Sequence, residues 1–224
     1  MGTVEWLEKL PPKLICEKLA PYMTEGRRQR IEEVLSNRIS NLIVLIEDLE
    51  DPHNISAVLR TCEGMGIQRV AVIEGPSTFK SHPGVSMGTH RWLHIHRFRE
   101  PSSAIRWLRE QGFTIYASYL GEGSRPFEEC LPLPEKLALF FGNENSGLSE
   151  EVVREADVRF VIPMKGFVRS FNVSVAAALT LSEVFHHGFK PQPLSEEEKE
   201  RIRAEWYIKT VRRAPEILRE LLEG

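Results

Sequence analysis

The sequence predicts an α/β fold, a parallel β-sheet with helices on both faces, and three observations carry that expectation. Short, nearly continuous apolar runs such as "NLIVLIED" at 41–48 and "LALFFGNE" at 137–144 read as strands buried on both sides. Stretches of helical character, such as "PSSAIRWLREQG" and "LSEEVVREA", separate one run from the next. The alternation persists along the chain, which implies a parallel sheet with ligands beyond the carboxyl ends of its strands. A chain of 224 residues with 42% hydrophobic composition suffices for one such domain with appendages, or for two small domains.

The elements follow in order. "EGRRQRIEEVLSNR", 25–38, has Ile31, Val34 and Leu35 on one face and arginines on the others, the pattern of an amphipathic helix. After the first strand, "DPHNISAVLRTCEGMG", 51–66, begins as an Asp51-Pro52 turn and continues as a helix with Ile55, Val58, Leu59 and Cys62 inward. Within it Asn54 sits at the helix entrance, where its side chain can cap the helix or hold Arg60. "RVAVIEG", "FTIYASYL" and "VRFVIPM" supply further strands. "GFKPQPLS", 188–195, reads as a linker. Ser195 and Glu198 then form a capping box for a helix expected to run through Trp206 and Val211 until Pro215 interferes. Ile217, Leu218, Leu221 and Leu222 mark a last amphipathic segment. The sequence thus divides into residues 1–40, a helical extension, 41–189, the sheet domain, and 190–224, a second helical extension.

Composition excludes several classes. No apolar run reaches the length of a membrane span, and Glu5, Glu8 and Glu17 occupy the region where a signal peptide would be basic and then apolar, so a cytoplasmic protein is expected. Cys16, Cys62 and Cys130 form neither a disulfide framework nor a zinc pattern and read as buried or semi-buried thiols. No metal is expected. The net charge of −3 argues against indiscriminate coating of nucleic acid. From Gly75 to Arg99, however, there is no acid, while Lys80, Arg91, Arg97, Arg99, His82, His90, His94 and His96 are present. That stretch is either a solvated face or a phosphate-contacting rim. "LGEGSRP", 120–126, lacks the third glycine of a dinucleotide fingerprint and reads as a turn.

Three stretches set polar residues and glycines beside apolar segments: "DPHNISAVLRTCEGMG", "FFGNENSGLSEEV" at 140–152 and "VIPMKGFVRSFNVSVAAAL" at 161–179. In order and spacing they resemble the three motifs of TrmH-type RNA 2'-O-methyltransferases of the SPOUT superfamily. The resemblance covers about residues 27 to 187. It implies a C-terminal deep trefoil knot, an exception to the rule against threaded chains. It also implies S-adenosylmethionine as cofactor, held mainly by backbone groups around Ser118, Gly142, Ile162 and Phe171. By the same resemblance Arg60 is the central catalytic residue, Asn54 its orienter, and Glu144, Ser170 and Asn172 shape the cofactor and ribose pocket. His53 matches a motif position that helix capping or a phosphate contact explains equally well.

An arginine base is chemically awkward: with a pKa near ~12.5, an ordinary guanidinium is neutral in only about one molecule in 10^5 to 10^6 at pH 7. Arg60 either loses a proton beside bound RNA or stays cationic, positions a phosphate and stabilises the developing alkoxide. Arg27, Arg28, Arg30, Arg91 and Arg169 are the candidate RNA contacts. His186 stands where the family commonly has an arginine, and reads equally as a substitute for it or as an exposed helix end. The implied partners are tRNA, with guanosine 18 of the D-loop as the leading target, and a second copy of the chain. A ribosomal RNA substrate or a non-catalytic RNA-binding role are the alternatives, although many ribosomal relatives carry a separate small domain for which residues 1–24 are too short.

Overall fold

A computed structural model of the protein describes residues 10–75 and 89–223. The chain divides into two compact units, Ile39–Gln192 and the segments on either side of it. Ile39–Gln192 is built on β1 (Ile39–Glu47), β2 (Ile67–Ile73), β3 (His94–Phe98), β4 (Thr114–Ser118), β5 (Arg125–Pro126), β6 (Leu137–Phe141) and β7 (Val158–Val161). Among the described residues these form one seven-stranded sheet in the order β3-β2-β1-β6-β4-β7-β5, parallel at every pairing. The expected parallel α/β architecture is present.

Strand alternation divides the core between the two faces. Leu42, Val44 and Ile46 of β1 pack on one side with α3 (Pro52–Gly64) and α6 (Val173–His186), through Val58, Leu59, Cys62, Ala177 and Leu181. Ile43 and Leu45 pack on the other with α4 (Pro101–Glu110) and α5 (Glu150–Glu155), through Ala104, Ile105, Leu108 and Val152. Most of these side chains exclude water completely, as does Leu139 of β6, so truncating Leu139 to alanine costs about 2–5 kcal/mol. β3 is the edge strand beyond β2 and is only half-buried, which explains why "HIHRF" has no continuous apolar run.

The flanking segments contribute α1 (Pro12–Leu19) and α2 (Glu25–Ser36) before the sheet and α7 (Glu196–Thr210) and α8 (Ala214–Glu223) after it. α1 packs on α7 and α8, and α2 packs on α7. Thr24 caps α2, and Arg203 makes a two-pronged ion pair with Glu32, at 2.6 and 2.8 Å. The Ser195–Glu198 capping box is present. Pro215 does not end α7, however. α7 stops at Thr210, Arg213 turns the chain with a φ of 62°, and Pro215 lies in the first turn of α8, where a missing N–H costs nothing. Burial pushes the Cys62 thiol up to about 12 and the Cys16 thiol up to about 11, so both remain protonated.

Candidate active site

Pro52 occupies the first position of α3 and so makes Asp51 its N-cap, with the Asp51 carboxylate accepting from His53 N at 2.8 Å. This corrects the expected role of Asn54. Its side chain neither caps α3 nor holds Arg60. Asn54 Nδ2 donates to the Glu144 carboxylate, and Asn54 Oδ1 accepts from Asn172 Nδ2 at 2.9 Å. Asn172 Oδ1 in turn caps α6, accepting from Ser174 N at 2.9 Å and Ser174 Oγ at 2.6 Å. Because each carboxamide has one donor end and one acceptor end, the cap on α6 fixes the direction of the whole relay. Residues from all three motifs, 90 and 118 positions apart in the pairs concerned, thus meet in one hydrogen-bonded chain.

Beside that chain lies a cleft of about 380 Å³. Ser118 ends β4, Gly142 follows β6 and Ile162 follows β7, and these three strands are neighbours, so the cleft opens at their carboxyl ends. Phe171, Glu144, Arg169 and Ser170 complete the set of anticipated residues on its walls. Gly142 packs so tightly on the backbone of Gly147 and Leu148 that a Cβ there would overlap them. Gly147 turns with a φ of 73°, a conformation that glycine adopts without strain.

Other anticipated residues lie elsewhere. Arg60 is exposed on α3, six positions beyond Asn54 and therefore on a different face of the helix. His53 is exposed in the first turn of α3. His186 is exposed at the last position of α6, roughly 20 Å along the helix from Asn172, and does not line the cleft. Arg28 and Arg30 are matched by Glu25 and Glu33 of their own helix, at 3.0 and 2.7 Å, while Arg27 is exposed. In the acid-free stretch, Arg91 is exposed with its guanidinium near the Trp92 ring, and Arg97 pairs with Glu74 at 2.6 Å. His96 packs on Trp107, and burial, with His94 and Arg69 adding to it, pulls its pKa down, so it is a poor phosphate ligand. Lys80, His82 and the His90 side chain lie outside the described residues. The turn at Gly121 and Gly123 is a turn. Among the described residues no group of three or more His, Cys, Asp or Glu could hold a metal ion, and no helix is long and apolar enough to cross a membrane.

Two polar residues that do not stand out in the sequence support the cleft. Asn143 and Glu47, each 5% exposed, tie the loop after β6 to the end of β1. The available signals are an asparagine followed four positions later by glycine, as in an Asx turn, and a lone acid closing an apolar strand.

A family model described as the SpoU rRNA Methylase family matches residues 41–182. The chain belongs to this family. Its similarity to particular members extends well beyond the motifs. The tRNA (guanosine(18)-2'-O)-methyltransferase of Thermus thermophilus is 42% identical over 160 residues, covering 71% of this chain and 82% of its own. That of Borreliella burgdorferi is 34% identical over 197 residues, covering 87% of this chain and 90% of its own. The crystal structure of the Aquifex aeolicus TrmH/SpoU tRNA modifying enzyme superposes with a TM-score of 0.72 at 33% identity, over 84% of this chain and 98% of that one. The resemblance carried by the three motifs is therefore one of family.

Proposed function

We propose that the protein transfers a methyl group from S-adenosylmethionine to a ribose 2'-oxygen of tRNA, at guanosine 18 of the D-loop. The names of the relatives above support the reaction and the target. The observation that carries it in this chain is the relay Asn172 to Asn54 to Glu144 at the edge of the cleft.

The cleft residues fit the cofactor. About 380 Å³ lies within the range of small-molecule pockets, and Leu148, Ile162 and Phe171 offer apolar surface to a flat heterocycle. The absence of side chains at Gly142 and Gly147 exposes backbone groups beside the polar side chains of Ser118, Glu144 and Ser170, a lining that suits ribose hydroxyls and an amino-acid tail. When bound, the cofactor supplies an electrophilic methyl on a charged sulfonium. Glu144, fixed on one side by Asn54, is the acceptor for hydroxyl or amine protons there. Arg169 on the cleft wall, joined by Arg60 as the resemblance implies, takes the RNA phosphate flanking the target ribose, and this charge stabilises the 2'-oxygen as it attacks the methyl and its proton passes to the flanking phosphate or to water. Ser170 lines the same wall and orients the ribose. Most of the rate gain is positional.

Residues 41–189 act as the methyltransferase domain, with 1–40 and 190–224 as helical extensions that carry Arg27, Arg28 and Arg30 toward tRNA. The segment from β7 into α6 forms the trefoil knot that the resemblance implies. The protein works as a homodimer in the cytoplasm without a metal. Support for a second copy comes from exposed apolar side chains: Phe167 and Val168 are 109% and 66% exposed, and Val175 and Leu179 stand exposed one turn apart on α6. Incubating the protein with tRNA, or with ribosomal RNA, and methyl-labelled cofactor, followed by nucleoside analysis, is the test. The expected product is 2'-O-methylguanosine at position 18 of tRNA, undiminished by EDTA. Label on a base, or in ribosomal RNA alone, overturns the reading.

A further inference from the structure

We infer that Asn143 is a positioning residue for the reaction, holding from inside the protein the loop that presents Glu144 to Asn54. The inference rests on the reading of Glu144 as a site residue given above.

Asn143 is buried, yet each of its polar groups is engaged. Its Nδ2 donates to Asp48 O at 2.7 Å, and its Oδ1 accepts from Asn145 N at 2.7 Å and Ser146 N at 3.1 Å. Its backbone closes the loop as a two-way bridge with Gly147, at 3.0 and 2.9 Å. The next three side chains, Glu144, Asn145 and Ser146, are exposed. A single buried carboxamide therefore organises a turn whose outward-facing residue is the one bonded to Asn54.

The anchor is rigid. Asp48, which offers the carbonyl, has a φ of 50°, uncommon for a residue with a side chain, and its own N–H is fixed to Ile73 O at 3.0 Å. One residue earlier Glu47 accepts from Ser149 N at 2.9 Å, so the end of β1 grips the loop at its front and at its back. Asn145 and Ser146 amides have no other acceptor in the loop's hydrogen-bond pattern. Loss of the Asn143 carboxamide releases them, and Glu144 loses its fixed direction without any change in its own chemistry.

Asn143→Ala, Asn143→Asp and the parent protein separate this role from simple support of the fold. Amide hydrogen exchange at 145–147 is read without cofactor or RNA, cofactor Kd by equilibrium dialysis, and single-turnover methyl transfer at saturating tRNA and cofactor. Asn143→Ala is expected to speed exchange at Asn145 and Ser146 by about tenfold, the worth of one hydrogen bond, and to slow transfer by about tenfold or more. Asn143→Asp keeps the acceptor for both amides and loses the donor to Asp48, so exchange should stay within about twofold of the parent while transfer falls less than in the alanine variant. Parent-like exchange and transfer in Asn143→Ala overturn the inference, as does equal damage in both variants. Should the alanine variant fail to fold, Asn143→Ser takes its place, its shorter side chain being unable to reach both amides and Asp48 O together: faster exchange at Asn145 and Ser146 with slowed transfer upholds the role, and parent-like exchange or parent-like transfer overturns it. If the parent itself transfers no methyl group, the proposed activity fails, and the exchange arm still decides whether Asn143 holds the loop.

Discussion

At the amino end of the sheet Asn41 is 1% exposed and directs its side chain wholly to backbone, donating to Glu135 O and Lys190 O at 2.6 and 3.0 Å and accepting from Gln192 N at 2.8 Å. Asp157 there also accepts from backbone, Ile115 N, but shares its carboxylate with the Arg109 side chain at 2.6 Å. At the carboxyl end Asn54 bonds to two other side chains, and its neighbours Glu144 and Asn172 are exposed. The same functional group serves two purposes. Where it satisfies buried backbone, nothing is left over for a ligand. Where side chains orient one another at the surface, their outward faces stay available, and Arg169 and Ser170 stand close by on the cleft wall. The difference separates a structural polar cluster from a candidate active site better than residue type does.

Mutation can break that comparison. The largest effect is expected at Arg60: Arg60→Ala should lower kcat by roughly 10^2 or more with cofactor affinity unchanged, and Arg60→Lys should restore little, because an ammonium lacks the planar fork. Single-turnover kinetics with parallel cofactor titration read both quantities. Next, Asn41→Ala should destabilise the protein by about 2–3 kcal/mol in denaturant melts, having stranded three backbone groups, while methyl transfer per folded molecule is unaltered. Asn54→Ala should do the reverse, costing less than about 1 kcal/mol of stability and at least about tenfold in transfer. If the two asparagines behave alike, the distinction between the ends of the sheet is lost.

A smaller effect sharpens the picture through pH. Burial pushes the Glu47 carboxyl above its ordinary range, against the opposing hydrogen bonds from Ser149. The folded state therefore keeps this proton to higher pH than the unfolded chain does. That contribution to stability is full below the unfolded pKa and is lost as pH rises through the raised native one. Glu47→Gln abolishes the loss, so its stability relative to the parent should climb with pH across that window, as read from melts between about pH 4 and about pH 8. Smallest of all, Arg28→Ala should weaken tRNA binding by less than about 1 kcal/mol and flatten the salt dependence slightly, since Glu25 already offsets part of that charge. A filter-binding salt series tests it.

Much of this was legible from the residues. The run from Leu42 to Ile46 is completely buried, and burial on both sides leaves a continuous apolar signature that any strand reading detects. β3 was less so, because an edge strand with His94, His96 and Arg97 does not need apolar residues on both faces. Asp51 as the cap of α3 was in fact readable from Pro52 beside it, and the more conspicuous Asn54 obscured it. The partners of Asn54 could not be read locally at all. A hydrogen bond across 90 residues leaves no spacing in the sequence, and only family resemblance placed Glu144 and Asn172 in the same pocket. Asn143 escaped for the complementary reason, since its task is directed inward and its neighbour Glu144 carries the motif.

The bond between Asn54 and Asn172 also sets a clock. The two are separated by 118 residues, and a ribosome adding about 5–20 residues per second takes about 6–24 s to deliver the second after the first. Throughout that interval the nascent chain holds only part of its relay, with Asn54 lacking the neighbour that orients it. Closing so long a loop carries an entropic cost of about 4 kcal/mol on the ideal-chain scale, to be met by packing α6 onto α3 rather than by the polar contact itself. The relay is therefore complete only late in synthesis, when α6 docks on α3, and a half-made chain has no finished cleft.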